Sequence, residues 1–274
     1  MRSLGGLTAI VALSTLLPAC VSLSPGTSPS GTAELSQDRA PLIHQLTQKV
    51  AERDRALVSM QTDAVMEYSA PDRHPPKVRE QIVAKRPDRL RVEALSAFNV
   101  ALIVATSGNQ LAIFEPSRNR LTRAAATADT LNQFIRIPMA PADAVTLLMG
   151  IAPDSAALAA RPPDAIMTEG AITVASWSVE NSAHRELGFQ DDQLALVRMR
   201  DADGTVEYEV RYGDYQDLGG VMFPYTVDAT FPRAGSRIAF HYKGLIINGE
   251  IPDSAFVLAP SVGGDQANLD NANP

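Results

Sequence analysis

After residue 58 most of this chain consists of short segments in which apolar and polar side chains alternate. In residues 89–95, Leu90 and Val92 fall on one face while Arg91 and Glu93 fall on the other, as in a half-buried strand. Comparable segments occur at residues 62–68, 79–84, 100–106, 110–114, 171–179, 184–189, 193–199, 206–212, 223–231 and 237–247. The pattern predicts an α+β protein that is mostly antiparallel β, with about eleven strands.

In two places the alternation gives way to apolar residues spaced three or four apart. Residues 40–58, with Leu46 and Val50 on one face, predict an amphipathic helix at the N-terminal side of the sheet. Residues 127–150 interrupt the strands and predict two short apolar helices separated by prolines. We therefore expect the strands to form one continuous meander with a helical insertion in the middle of the chain.

A sheet of this size curls, and its concave face must be covered or filled. We expect an open, unclosed β-barrel in which the inserted helices form a lid across the concavity. For any single apolar residue, a plain core role is the alternative. The candidate residues of a ligand cavity and its lid are Leu131, Phe134, Ile135, Val145, Leu148, Met149, Leu90, Val92, Phe223, Tyr225 and Phe240.

The first twenty residues predict export. Arg2 precedes a short apolar stretch at residues 4–17, and the following Leu-Pro-Ala-Cys resembles a bacterial lipobox that ends at Cys20, the only cysteine of the chain. This predicts a cleaved signal peptide at residues 1–19 and a lipid anchor, with palmitate among its acyl chains, on Cys20. The alternatives are an ordinary signal peptide with an incidental cysteine, or an uncleaved anchor.

These features divide the chain into four parts. Residues 1–19 are the signal peptide, residues 20–40 the lipidated cysteine with a flexible tether, residues 41–260 the folded domain and residues 261–274 a disordered tail. Val21 follows the cysteine, where many inner-membrane lipoproteins carry aspartate. We therefore expect attachment at the periplasmic face of the outer membrane rather than the inner membrane.

The composition argues against several functions. The formal net charge is −7, and no basic stripe with interleaved aromatic residues is present, so nucleic acid is not an expected partner. The four histidines are scattered, and no spacing of His, Cys, Asp or Glu is typical of a metal site. No catalytic constellation is recognisable. We expect neither a cofactor nor a metal, and a protein that is not an enzyme.

Four segments resemble the bacterial LolA- and LolB-like lipoprotein localisation factors, and the likeness extends over most of residues 42–260. They are residues 85–95 (KRPDRLRVEAL), 116–121 (PSRNRL), 212–215 (YGDY) and 251–258 (IPDSAFVL). The resemblance implies an open β-barrel with a helical lid over a hydrophobic cavity. Because the chain carries a predicted lipid anchor, it is more similar to the membrane-anchored LolB than to the soluble LolA.

The resemblance implies an envelope protein that binds acyl chains or lipoproteins, receives them from a periplasmic carrier protein and helps deliver them to the outer membrane as a monomer. Phe98 lies where LolB-like proteins have a loop that pushes into the membrane; the alternative is that Phe98 folds back under the lid. A structural or sensory envelope lipoprotein, with a filled barrel that binds a protein partner, remains the alternative function.

Overall fold

The computed structural model of the chain describes residues 31–97, 99–259 and 265–268. Its helices are α1 (Gly31–Ala56), α2 (Ala128–Ile135), α3 (Pro141–Leu148) and α4 (Ser155–Ala159). Its strands are β1 (Ser59–Ser69), β2 (Val78–Lys85), β3 (Arg89–Leu95), β4 (Val100–Ser107), β5 (Gln110–Glu115), β6 (Arg120–Ala125), β7 (Ala165–Glu169), β8 (Ile172–Ser178), β9 (His184–Gln190), β10 (Gln193–Arg200), β11 (Val206–Asp217), β12 (Met222–Phe231), β13 (Ser236–Ile247) and β14 (Asp265–Asn268).

All fourteen strands form one sheet in the order β14-β6-β5-β4-β3-β2-β1-β13-β12-β11-β10-β9-β8-β7. The first thirteen strands pair antiparallel, and β14 runs parallel to β6. Two meanders, β2 to β6 and β7 to β13, are joined where β1 pairs with both β2 and β13. The described strands leave β14 and β7 at opposite ends of this order, so the sheet is open, as predicted.

The inward face of the sheet is apolar, and the strand registers explain why. Between β2 and β3, Ile82 lies opposite Val92 and Ala84 opposite Leu90, and all four side chains are buried in the main core cluster. The intervening Arg91 points to the other face. Strict period-two patterning thus places one apolar row per strand on the concave side.

The helices cover this concave face. Ile43, Leu46 and Val50 of α1 are buried in the same core cluster as the inward strand residues. Between β6 and β7 the chain crosses the concave side as α2, α3 and α4, and α3 contacts β2 and β3. Among the described helices, none is both long enough and apolar enough to cross a bilayer.

Four segments differ from the sequence prediction. Helix α1 begins at Gly31, inside the predicted tether, because residues 32–40 contain several good helix formers. Strand β14 lies inside the predicted disordered tail, where the free edge of β6 offers backbone partners. Strand β7 and helix α4 lie between the predicted helical insertion and the strand predicted at residues 171–179. Strand β6 is also not one of the eleven predicted segments, so β6, β7 and β14 raise the number of strands to fourteen.

Candidate functional site

The structure brings the eleven predicted cavity and lid residues together. Eight are buried members of the main core cluster, namely Leu90, Val92, Leu131, Val145, Leu148, Met149, Phe223 and Phe240. Phe134, Ile135 and Tyr225 are partly buried and pack against that cluster. The helical insertion and the concave face therefore share one apolar interface, which is the candidate ligand-binding surface.

Part of this interface is tightly packed. The space between α3 and strands β11 to β13 is an apolar cavity of 20 Å³. That is room for about one water molecule, whereas binding sites for small ligands usually measure roughly 300–1,000 Å³. At this place an acyl chain can enter only if one of the lining side chains moves. The lining residues are Ile137, Met139, Ala144, Leu147 and Leu148 with Val210, Val227, Ala229, Phe231, Ile238 and Phe240.

A groove of 350 Å³ adjoins this cavity at one end of the sheet. Met139, in the connection between α2 and α3, and Phe231 line both the groove and the small cavity. The groove also contacts the turn at Pro232–Ala234, which joins β12 to β13. It is therefore one entrance to the space beneath the helices, and we call this end of the sheet, at β12 and β13, the mouth.

Charged side chains stand beside the mouth. Arg185, almost fully buried, donates a hydrogen bond to the Tyr208 hydroxyl and lies 3.5 Å from the Asp154 carboxylate. Burial raises the pKa of Tyr208 to about 12 and raises the pKa of Asp143, which the charge of Arg185 partly offsets. The entrance is thus apolar on its inner side and polar at its rim, which suits a ligand with an acyl tail and a polar end.

The far end of α3 is held by hydrogen bonds from the sheet. The Tyr212 hydroxyl donates to the Leu147 carbonyl at 3.1 Å, and the Tyr242 hydroxyl donates to the Leu148 carbonyl at 2.8 Å. Carbonyls in the last turn of a helix lack intrahelical partners, and here Leu148 receives one from Tyr242, while Leu147 accepts from both Tyr212 and the Gly150 amide. Burial raises the pKa of both tyrosines well above the ordinary value, so both hydroxyls keep the protons that they donate.

The residues after α3 are fastened to the end of α1. Arg53 donates to the Gly150 carbonyl, and Asp54 accepts a hydrogen bond of 3.1 Å from the Ala152 amide. Burial raises the pKa of Asp54, and the adjacent Arg53 opposes this shift. Gly150 has a φ of +67°, and a Cβ there would lie 2.6 Å from Pro224, so the tight turn requires glycine. We call these contacts, with those of Tyr212 and Tyr242, the latch.

Helix α2 is held differently. Among the described residues its side-chain hydrogen bonds are local, within the capping box formed by Thr127 and Thr130 and from Thr130 to the nearby Ala125 carbonyl. Leu131 is its one fully buried side chain, and its last residue is followed by Arg136 in the left-handed conformation. Beyond the bond from Thr130 to Ala125 at the end of β6, apolar contact is what the described residues show between α2 and the sheet. The latch fixes the other end of the insertion.

The concave face also carries an acidic residue. Glu80 of β2 points inward with Ile82 and Ala84, and only 6% of its surface is exposed. Burial raises its pKa to about 7 and is the sole cause of the shift. Among the described residues no hydrogen bond or ion pair reaches its carboxyl group. Sequence reasoning missed Glu80, although the inward positions of Ile82 and Ala84 assign it to the same face.

Several predicted features are not tested by this geometry. Cys20 and Phe98 lie outside the described residues, so lipidation and membrane insertion stay predictions. Groups of His, Cys, Asp or Glu that could hold a metal ion do not occur among the described residues. Asp201 and Asp203 accept hydrogen bonds from the Thr205 amide. These aspartates therefore belong to the hairpin turn between β10 and β11.

Sequence reasoning also missed the latch and much of the cavity lining. Ile137 and Met139 flank a proline in what was predicted as a gap between the helices, so no periodicity marks them. The latch joins residues that are about a hundred positions apart, and no local pattern signals such a contact.

Comparison with solved structures identifies the fold. A DUF1329 family protein from Desulfovibrio piger is similar at a TM-score of 0.55 with 11% identity, covering 80% of this chain and 97% of that chain. A LolA superfamily protein from Nitrosomonas europaea is similar at a TM-score of 0.51 with 16% identity, covering 77% and 97%. A putative outer membrane lipoprotein-sorting protein domain from Vibrio parahaemolyticus follows at 0.49 with 8% identity, covering 78% and 95%.

The first two likenesses show that this chain has a LolA-like fold, which confirms the resemblance in fold inferred from the sequence. No family model matches the chain, and no curated protein matches it.

Proposed function

We propose that this chain is a lipid-anchored, non-enzymatic protein at the periplasmic face of the outer membrane. It binds acyl chains, chiefly those of lipoproteins, beneath the helical insertion and helps deliver them to that membrane. Cys20 carries the anchor, α2 and α3 are the lid, and Phe98 enters the bilayer during release. A periplasmic carrier protein is the donor, and the monomer is the active form.

The observation that carries this proposal is the unequal attachment of the helical insertion. The latch fixes the end of α3 to distant strands through Tyr212 and Tyr242, whereas the described residues of α2 and of the connection that contains Met139 meet those strands through apolar contact. A lid that pivots at the latch would uncover the concave face next to the mouth. The entering acyl chain would then take the place of the displaced side chains.

For an acyl chain that leaves water, the energies of this exchange depend on its length. Uncovering three large apolar side chains, such as Leu131, Ile137 and Met139, costs roughly 5–9 kcal/mol at about 1.5–3 kcal/mol each. Burying about fourteen methylenes of a palmitoyl chain contributes about 11 kcal/mol at about 0.8 kcal/mol each. A long chain therefore gains more than the opening costs, and a short chain does not. The proposed ligand is consequently a long-chain lipid.

The alternative is a structural or sensory envelope lipoprotein whose barrel stays filled while its surface binds a protein partner. The observation that favours it is the cavity of 20 Å³ between α3 and strands β11 to β13, which is too small for an acyl chain as it stands. The two functions differ in whether α2 leaves the sheet.

Photocrosslinking separates the two functions. The full chain is reconstituted in phosphatidylcholine vesicles with a C16 acyl probe that bears a diazirine at its chain end, and crosslinked residues are mapped by peptide mass spectrometry. We expect crosslinks on concave-face residues such as Phe240 and Leu148, and fewer of them for Leu131→Gln. Leu42→Gln is the matched control, because Leu42 on α1 is 47% exposed.

Crosslinks confined to the outer surface, unchanged by Leu131→Gln, would contradict acyl binding and favour the filled barrel. Far-ultraviolet circular dichroism of both variants shows whether the sheet is intact. If Leu131→Gln unfolds the protein as a whole, the residue acts as packed core and the lid assignment of α2 is wrong.

A further inference from the structure

The inward carboxyl group of Glu80 is unexplained by the fold. Glutamate is almost never buried without a partner, because desolvation penalises its charged form by several kcal/mol. At this position the described residues supply neither a cation nor a hydrogen-bond donor. A structural role would be filled better by an apolar residue, as it is at Ile82 on the same face.

The neighbours of Glu80 on the two adjacent strands are small. Ala64 of β1 and Ala94 of β3 are its partners across these strands. Both side chains are single methyl groups, which are too short to cover a glutamate. On the next strand, Tyr242 lies opposite Ala64, but its hydroxyl already donates to the Leu148 carbonyl. The carboxyl group therefore lies between two small residues, on a strand that α3 contacts.

Glu80 lies near the edge of the sheet where β2 begins and β3 ends. Arg79 is paired with Leu95, the last residue of β3, so Glu80 is one pair deeper at about 3.3 Å per residue. By the registers of β1 with β2 and with β13, Glu80 is level with Tyr242, so it lies beside the latch and not at the mouth. A polar group joined to an acyl chain that enters over this edge of β2 and β3 would lie at the depth of Glu80.

Resting on the proposed acyl binding, we propose that Glu80 recognises the group that joins the acyl chain to the rest of the ligand. Its carboxyl group binds a hydrogen-bond donor at that point, an amide N–H or an ammonium, and excludes a free fatty acid carboxylate. Like charges brought together in a low-dielectric site repel strongly, whereas a charge-assisted hydrogen bond to an ammonium is about twice as strong as a neutral one. Glu80 thus selects linked acyl chains over free fatty acids.

The test compares three C16 photoprobes that differ only in the terminal group, an amine, a primary amide and a carboxylic acid. Each is titrated at pH 8 against the full chain and against Glu80→Gln in phosphatidylcholine vesicles. Because probes partition differently into vesicles, the measured quantity is the ratio of amine to acid affinity in the wild type divided by the same ratio in the variant. We expect this quotient to be about tenfold or more.

Glu52→Gln is the control, because Glu52 lies on an exposed position of α1, and its quotient should stay near one. A quotient near one for Glu80→Gln, with all three probes crosslinked to the concave face, would overturn the inference while leaving acyl binding intact. If none of the probes crosslinks to the concave face in either protein, both the inference and the proposed function are wrong. Glu80→Leu repeats the test with a side chain that cannot hydrogen-bond.

Discussion

Removing the charge of Glu80 should stabilise this protein at alkaline pH. The pKa of Glu80 is about 7 in the folded protein against an ordinary value of 4.5, so the folded state binds the proton more tightly than the unfolded state. For a carboxyl with a raised pKa, stability is present at low pH and is lost as the pH rises through the folded pKa. The window of this loss therefore runs from about pH 4.5 to about pH 7.

The size of the effect follows from the two pKa values. One pKa unit corresponds to about 1.4 kcal/mol, so the full shift amounts to roughly 3 kcal/mol. Between pH 5.5 and pH 8 the wild type should lose about 2 kcal/mol of unfolding free energy through Glu80. Glu80→Gln should not show this component.

Urea unfolding followed by the fluorescence of Trp177 measures the difference. Trp177 is the single tryptophan and is fully buried, so its emission reports loss of the core. The free energy of unfolding of Glu80→Gln minus that of the wild type should rise by about 2 kcal/mol from pH 5.5 to pH 8. All other titrating groups cancel in this subtraction. If the difference is the same at both pH values, Glu80 is not a desolvated carboxyl, and the reasoning fails.

Three further predictions follow from the anchor, the latch and the turn at residues 96–99. Cys20→Ala should release the protein from the membrane or leave its signal peptide uncleaved; labelling with a palmitate analogue that still marks the variant would contradict this. Tyr242→Phe should lower the free energy of unfolding in urea by about 1–3 kcal/mol, because the Leu148 carbonyl stays buried without its donor. Tyr225→Phe is the control and should lower it less, because the Tyr225 hydroxyl has no such bond in the described structure. Phe98→Glu should slow transfer of bound lipid to liposomes without weakening binding, since a carboxylate in the bilayer is unfavourable; an equal transfer rate in both proteins would remove the insertion role from Phe98.

Local sequence patterns predict the meanders because each strand buries one face. In β3 the alternation of Leu90 and Val92 with Arg91 predicts both the strand and the face that points inward. The two inserted helices are likewise visible, since prolines and Thr127 mark their ends. These signals act within a few residues, and hydrophobic burial turns them into tertiary structure.

The parts that sequence reasoning missed depend on distant partners. β7 has mostly exposed or half-buried residues and shows no clear alternation, and its pairing with β8 defines it as a strand. The latch needs Arg53 and Gly150 to meet, and the helical insertion brings them together only in the folded chain. The alternation in β2 predicts that Glu80 faces inward. Its small neighbours Ala64 and Ala94 lie on other strands, so the sequence around Glu80 does not reveal them.

The pairing of β1 with β13 has a consequence for how this protein is made. Met60 near the start of the folded domain lies opposite Ile247 near its end, so β1 gains its second neighbour only after nearly the whole chain has been delivered. Until then the β2 to β6 meander can form, but one edge of β1 stays open, and open strand edges are templates for aggregation. If the chain is exported in order from its N-terminus, the first half of the sheet keeps an open edge at β1 until β13 arrives. A folding helper would then have to protect the sheet at β1.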